Sequence, residues 1–514
     1  MAIARYVADI DTTITNAFEA DLTTRGTGSN MGYADSLEIF SIYGQVSGST
    51  GQSQELSRTL IRFPITSITA DRTAGTIPAS GSVSFYLRMF NAAHPFTLPQ
   101  DFNLTVAPVS RSWAEGTGLD MDNYLDLGTS NWIKPDDSNT WTNIGGDYIT
   151  QDPGSTYNIN FAQGFEDIQL DITRIVEQWV DGTYSNYGLG LRLTASEEAY
   201  FSSSTGADTG KIINNTNGAQ QSYYTKKFFA RSSEFFFKRP VIEARWDSRV
   251  SDDRENFYYS SSLAPAADNL NTLYLYNYIR GRLVNIPVVE AGSTLMVSLF
   301  SGSTAPTGSK LTLYDGNLNT TASWVSRGVY SAEMAITAAL STELPKGLTV
   351  MYDVWHNQSS AGPHTLGTIQ YFTGSIFPEH MPTYDSAPTF TQITSCRNLK
   401  KSYSTSDSAR FRFFVRNRNW NPTIYVKATA NNPTQIITSA SYNIRRTTDD
   451  YNAIPYGTGS SYSTYLSYDK EGNYFDLDMS LLEPGYMYRI NLSYYNDSIG
   501  AWQEQPQTFK FRVD

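Results

Sequence analysis

Only one stretch of this chain carries a helical period. Between Phe165 and Leu193 the apolar residues change spacing: Ile168 and Leu170 alternate as in a strand, then Ile172, Ile175, Val176 and Trp179 fall on one helix face. Asp171 reads as the N-cap and Gly182 as the left-handed residue that ends the helix. Leu189, Leu191 and Leu193 then resume alternation after the Asn186-Tyr187-Gly188 turn. Elsewhere the apolar residues come in short period-two runs between polar turns, which restricts the chain to all-β architectures. The composition agrees, because 35 Tyr, 26 Phe, 36 Gly and 21 Pro alongside only 17% charged residues supply strands and turns rather than helix faces.

At 514 residues the chain exceeds what one core sustains, since single cores stop growing near roughly 250 residues. Three regions are expected: 1–250, 262–384 and 386–514, with the polar run Ser251 to Ser261 as a linker. In the first, strands are read at Tyr6 to Ile10, Leu56 to Ile65, Val83 to Met89 and around Val241. The second shows strands at Leu273 to Ile279, Leu295 to Phe300, Leu311 to Tyr314 and Val350 to Trp355, and Tyr330 to Ala339 reads as a strand despite its alanines. The third shows them at Ala409 to Val415, Ile424 to Ala428, Tyr486 to Tyr495 and Phe509 to Val513. Regions of this size with turn signals at short, even spacing are expected to be immunoglobulin-like sandwiches.

In the first region a series of short motifs occurs in order: Asn30-x-Gly32, Ser57-Arg58 with Arg62-Phe63, Trp113-x-Glu115-Gly116, Asp171-Ile-Thr173, Trp179-x-Asp181-Gly182, Asn186-Tyr187-Gly188-Leu189, Arg231-Ser-Ser-Glu234 and Arg239-Pro240. Together they resemble the DNRLRE domain family. That resemblance implies a jelly-roll-like β-sandwich, found on extracellular surface proteins, polysaccharide-binding modules and phage virion proteins. The Arg-Ser-Ser-Glu run departs from the family's tighter Ser-Arg-Glu pattern, and the long loops Leu119 to Asn160 and Ser202 to Tyr223 lie outside it. The expected fold is therefore a jelly-roll-like sandwich with one short helix, followed by two immunoglobulin-like sandwiches.

The sequence offers little chemistry. His94, His356, His364 and His380 stand in no ligand or triad spacing, the Gly-rich tracts lack a phosphate-loop Lys, and no nucleophile elbow occurs, so no catalytic residue is assigned. Asp120, Asp122 and Asp126 could wrap a structural calcium ion, the one cofactor the sequence accommodates. Trp132, Trp141, Tyr148 and Tyr157 could stack on sugar rings, bury against a neighbouring subunit, or pack their long loop onto the sandwich. A formal charge of −12 opposes a nucleic-acid partner. No apolar run reaches the roughly 20 residues of a membrane span, so no membrane insertion is expected. Cys396 is the single cysteine, so no disulfide forms within the chain.

With no signal-peptide h-region at the N-terminus, the expectation is synthesis in a host cytoplasm and a place in a virion. The expected role is a non-enzymatic bacteriophage structural protein of a tail, neck or collar, or fibre-like appendage, partnered by other virion proteins and by copies of itself. The alternatives are a capsid decoration protein and a module that binds host-surface polysaccharide.

Overall fold

The computed structural model describes residues 2–45, 53–95, 99–121, 128–202, 210–260, 265–290, 294–336, 348–357, 369–378, 392–418, 434–457, 462–496 and 499–514. Two compact units divide the chain, Ala2–Asp247 on one side and Ser248–Thr458 with Thr464–Asp514 on the other.

The first unit contains β1 (Ile3–Val7), β2 (Ile10–Thr15), β3 (Ser36–Tyr43), β4 (Gln54–Arg62), α1 (Ile65–Thr73), β5 (Ser84–Met89), β6 (Phe102–Pro108), β7 (Tyr157–Phe161), β8 (Ile168–Asp171), α2 (Thr173–Val180), β9 (Leu189–Leu193), β10 (Tyr223–Phe229) and β11 (Val241–Arg245). One sheet runs β1-β11-β5-β8, and the other runs β10-β3-β4-β9-β6-β7 with β2 on β4. Strand alternation decides what faces inward: Phe85, Leu87 and Met89 of β5 are buried, as are Leu189, Leu191 and Leu193 of β9, and these side chains meet in one core between the sheets. The turn into β9 requires Gly188, whose φ of +86° is accompanied by a position where a Cβ would lie 2.2 Å from the Ile61 carbonyl oxygen.

Helix α2 forms where its period predicted, with Ile175, Val176 and Trp179 buried. Its N-cap is Ile172 rather than Asp171, whose carboxylate instead accepts the Thr173 N–H at 2.9 Å. Helix α1 was not legible. The strand expected to reach Ile65 ends at Arg62, and the chain turns into a helix after Pro64. Its Thr-rich sequence has poor helix propensity and buries only Ile68 completely. Tertiary contacts hold it: Arg72 makes a bidentate ion pair with Glu177 of α2 at 2.7 Å and 2.7 Å, and the Tyr6 hydroxyl donates to Asp71 at 2.7 Å.

The second unit holds two further sandwiches. The first comprises β12 (Asn271–Tyr276), β13 (Tyr278–Ile279), β14 (Arg282–Leu283), β15 (Met296–Ser301), β16 (Thr320–Thr321), β17 (Ser323–Ser326), β18 (Val329–Met334), β19 (Met351–His356) and β20 (Gln370–Ile376). Its sheets run β12-β18-β17 and β16-β15-β19-β20, with β13-β14 a separate hairpin, around a core that includes Leu273, Val297, Tyr330 and Trp355. The second comprises β21 (Gln392–Cys396), β22 (Ser402–Tyr403), β23 (Ser408–Asn417), β24 (Ala440–Arg446), β25 (Asn452–Ile454), β26 (Ser467–Asp469), β27 (Gly472–Asp478), β28 (Met487–Asn496) and β29 (Ala501–Val513). Its sheets run β21-β23-β27-β26 and β22-β29-β28-β24-β25. Aromatic rings fill the space between them, Tyr442 of β24 stacking on Phe475 of β27 with centroids 3.8 Å apart.

The architecture is all-β: a larger sandwich followed by two sandwiches of immunoglobulin-like two-sheet construction, antiparallel apart from the short parallel pairing of β22 with β29. Two local expectations change and a third is not tested. Leu311 to Tyr314 forms no strand. The expected strand Ile424 to Ala428 lies outside the described residues. Within the run Ser251 to Ser261, described as far as Ser260, the chain is not a solvated linker, because Asp252, Arg254, Phe257, Tyr259 and Ser260 are buried and Phe257 and Tyr259 belong to the core of the second sandwich.

Candidate functional site

The long loop after β6 is tied down from inside. Trp132 is fully buried and Trp141 nearly so, in a second hydrophobic cluster with Ile14, Leu56, Leu60 and Val109. Trp132 Nε1 donates to the Lys211 carbonyl at 2.9 Å, and Trp141 Nε1 donates to the Asn131 carbonyl at 2.9 Å. Arg58 of β4 reaches into this cluster, pairing both ways with Glu198 at 2.8 Å and 2.7 Å and donating to the Gly145 carbonyl at 3.0 Å. Its guanidinium carbon stands 5.4 Å from the Trp132 ring centroid and 5.9 Å from that of Tyr148. Tyr148 sits so close over β9 that a Cβ on Gly190 would meet its ring at 1.9 Å. Tyr157 lies half-buried on β7, packed against the main core. Trp132 and Trp141 are therefore framework residues, while Tyr148 and Tyr157 keep part of their surface exposed. For the two tryptophans burial favours the packing role over contact. Trp132→Phe removes the donor to Lys211 and leaves a gap, so it is expected to lower the stability of this unit by about 1–3 kcal/mol in urea denaturation. An unchanged midpoint would remove Trp132 from the framework.

The motif residues that carried the family resemblance are hubs of the same kind. Asn30 Nδ2 donates to the carbonyls of Glu115 at 2.7 Å and Ser130 at 3.1 Å, while its Oδ1 accepts from Gly32 at 3.1 Å and Gly118 at 2.9 Å. The Glu115 carboxylate takes Arg231 at 2.6 Å and 2.6 Å and the Asp11 N–H at 2.8 Å. Asp11, buried beside Glu115, is pushed up to about 7 by desolvation, against the Arg231 N–H it accepts. Of the three carboxylates expected to hold calcium, Asp120 is half-buried, and Asp122 and Asp126 lie outside the described residues. Among the described residues no cluster of metal-ligating side chains occurs. His356 is buried with Nε2 2.8 Å from Ser298 Oγ, and His364 and His380 lie outside the described residues.

Two further charge clusters were invisible in the sequence. On the outer face of the four-stranded sheet, Glu243 of β11 pairs with Arg5 at 2.7 Å, Arg245 at 2.6 Å and Arg88 at 3.3 Å. Burial alone would raise its carboxyl. The three guanidinium charges outweigh burial and hold it at about 2. In the second unit, Arg254 pairs with Asp353 at 2.7 Å and Asp252 at 2.8 Å, and Trp355 Nε1 donates to Asp353 at 2.8 Å. The same segment reaches the third sandwich, where the Asp252 N–H donates to the Tyr468 carbonyl at 3.1 Å and the Tyr468 hydroxyl to Asp253 at 2.9 Å.

One group of exposed aromatics lies near the C-terminal end of the described residues. Tyr495 of β28 and Trp502 of β29 are directly opposed across the hairpin, with ring centroids 5.6 Å apart. Tyr465 meets Trp502 edge-on at 5.4 Å, and the Arg249 guanidinium lies 4.9 Å from the Tyr465 ring. Trp502 is 42% exposed and Tyr495 37%. A cluster of edge-to-face aromatic rings beside a cation suits contact with a sugar ring or a protein surface, where such rings bury much area at little conformational cost. Sequence reasoning missed this cluster because only the register of β28 on β29 puts the residues side by side.

No protein-family model matches the chain, and no curated protein matches it. Among solved structures, the fibronectin(III)-like modules of Clostridium thermocellum CbhA align over 52% of this chain and 92% of theirs at 9% identity, with a TM-score of 0.14. The adhesin InvE of Yersinia pseudotuberculosis aligns over 47% of this chain and 54% of its own at 9% identity, and the FN1-FN3 domains of chicken CNTN1 over 56% and 82% at 11%, each with a TM-score of 0.14. At that TM-score none of these similarities bears on what the chain does.

Proposed function

We propose that this chain is a non-enzymatic structural and surface-contact protein of a bacteriophage virion, a component of a tail, neck or collar, or fibre-like appendage. The observation that carries the contact role is the exposed pair Trp502 and Tyr495, flanked by the partly exposed Tyr465 and Arg249. The buried loops and charge clusters support a framework built to hold its shape while that pair meets a partner. The motif resemblance in the first unit, shared with phage virion proteins and surface modules, supports the virion setting. The partners would be other virion proteins and copies of this chain, with a capsid decoration protein as an alternative. The exposed Trp and Tyr faces also favour the other alternative, a module holding a host-surface polysaccharide.

The test uses the full chain and its Trp502→Ser, Tyr495→Ser double variant, compared by light scattering, by a glycan array and by incorporation into particles followed with immunogold labelling. Both exposed side chains lie outside the core, so thermal stability is expected to change little. Loss of self-association, of particle incorporation or of glycan binding by about tenfold or more, as for a central aromatic anchor, supports the contact role. Retention of all three by the double variant sinks it. A glycan signal without particle labelling selects the polysaccharide module over the virion component.

A further inference from the structure

Lys226 of β10 is only 1% exposed, an unusual place for an amine. Its Nζ donates to Asn91 Oδ1 at 2.7 Å and to the carbonyls of Glu166 at 2.8 Å and Gly164 at 3.3 Å. The rings of Phe161 and Phe228 flank it, each centroid 4.9 Å from Nζ. Asn91 follows β5 of the opposite sheet, and an isolated bridge to Phe228 fixes its backbone. Its N–H donates to Asp167 Oδ1 at 2.8 Å. His94 places Nε2 3.0 Å from the same Asn91 Oδ1, and its Nδ1 lies 2.6 Å from the Pro95 carbonyl oxygen. An amine and a carboxamide are thus held together in an aromatic enclosure with an imidazole on the carbonyl oxygen.

We infer that Lys226 and Asn91 are the partners of an intramolecular isopeptide bond that staples β10 to the segment after β5, across the two sheets of the first unit. The reaction is a transamidation. Unprotonated Nζ attacks Asn91 Cγ, the C–N bond to the carboxamide nitrogen breaks, and that nitrogen leaves with the amine proton as ammonia. Nothing is oxidised or reduced, and no co-reactant is consumed. When Nε2 of His94 carries a proton it donates to Oδ1 and stabilises the negative charge that develops there, and the fixed approach replaces a bimolecular encounter. Burial draws the lysine down to about 8, against the opposing charges of Glu166 and Asp167, so an appreciable unprotonated fraction exists near neutral pH. The competing role for the same geometry is a buried ammonium satisfied by three oxygens and two ring faces.

Mass spectrometry of the denatured, full-length chain separates the two. The bond predicts an intact mass lighter by one ammonia and a branched proteolytic peptide joining Lys226 to Asn91. Lys226→Arg and Asn91→Ala are each expected to restore the full mass. Unbranched peptides carrying intact Lys226 and Asn91 in the wild-type chain would overturn the inference, as would an ammonia loss mapped to another residue. The wild-type peptide map decides the question even if either variant fails to fold.

Discussion

Replacing Arg254 with methionine is expected to destabilise the second unit by about 3–5 kcal/mol at neutral pH, the range for removing one partner of a buried ion pair. The guanidinium is the shared partner of Asp252 and Asp353, which are 2% and 0% exposed, and neither carboxylate can reach water once it is gone. The effect carries a pH signature. Burial, together with the nearby Asp353 and Asp469 charges, lifts Asp252 to about 7 despite Arg254. A folded value above the unfolded one means this group favours folding below the ordinary aspartate value of about 4. That contribution is lost as pH rises through about 7. The wild-type unit should therefore weaken across this window. The cost of Arg254→Met should shrink toward pH 4, where protonation of Asp252 removes its orphaned charge. Calorimetry of the full chain across pH reads both, and a cost below about 1 kcal/mol at pH 7, no more than a surface pair is worth, would show that the cluster does not hold the segment in place.

In the first unit, Glu243→Gln is expected to cost a similar 3–5 kcal/mol or so, with the opposite pH dependence. The substitution keeps shape and removes only charge, leaving Arg5, Arg88 and Arg245 around a neutral amide. Because the folded carboxyl lies at about 2, below its unfolded value, its stabilisation is complete above the ordinary glutamate range and disappears as pH falls toward 2. Wild type and variant should thus converge in acid. Added salt should narrow the gap at neutral pH by screening the three guanidinium groups, which retain partial access to solvent. Urea denaturation at low and high ionic strength tests this, and equal losses in both would assign the cost to packing rather than charge.

Period-two alternation was enough to read the all-β class and the inward faces of β5 and β9, and the switch to a 3.6-residue period gave the amphipathic helix α2, because each depends on residues close in sequence. Gly182 and Gly188 were equally legible, since a left-handed turn leaves few alternatives to glycine. Helix α1 was not, because its own residues favour other states and its partners Tyr6 and Glu177 come from distant strands and helices. The loop tryptophans were recognised as important, but burial decided between packing and contact, and burial is a property of what folds over a residue. The clusters at Arg254 and Glu243, the pairing of Tyr495 with Trp502 and the meeting of Lys226 with Asn91 all depend on register and on sheet-to-sheet approach. The sequence by itself determined the all-β class and, where alternation is regular as in β5 and β9, which side of a strand faces inward. Only the tertiary structure decided which charged and aromatic groups meet, because those meetings join residues far apart along the chain.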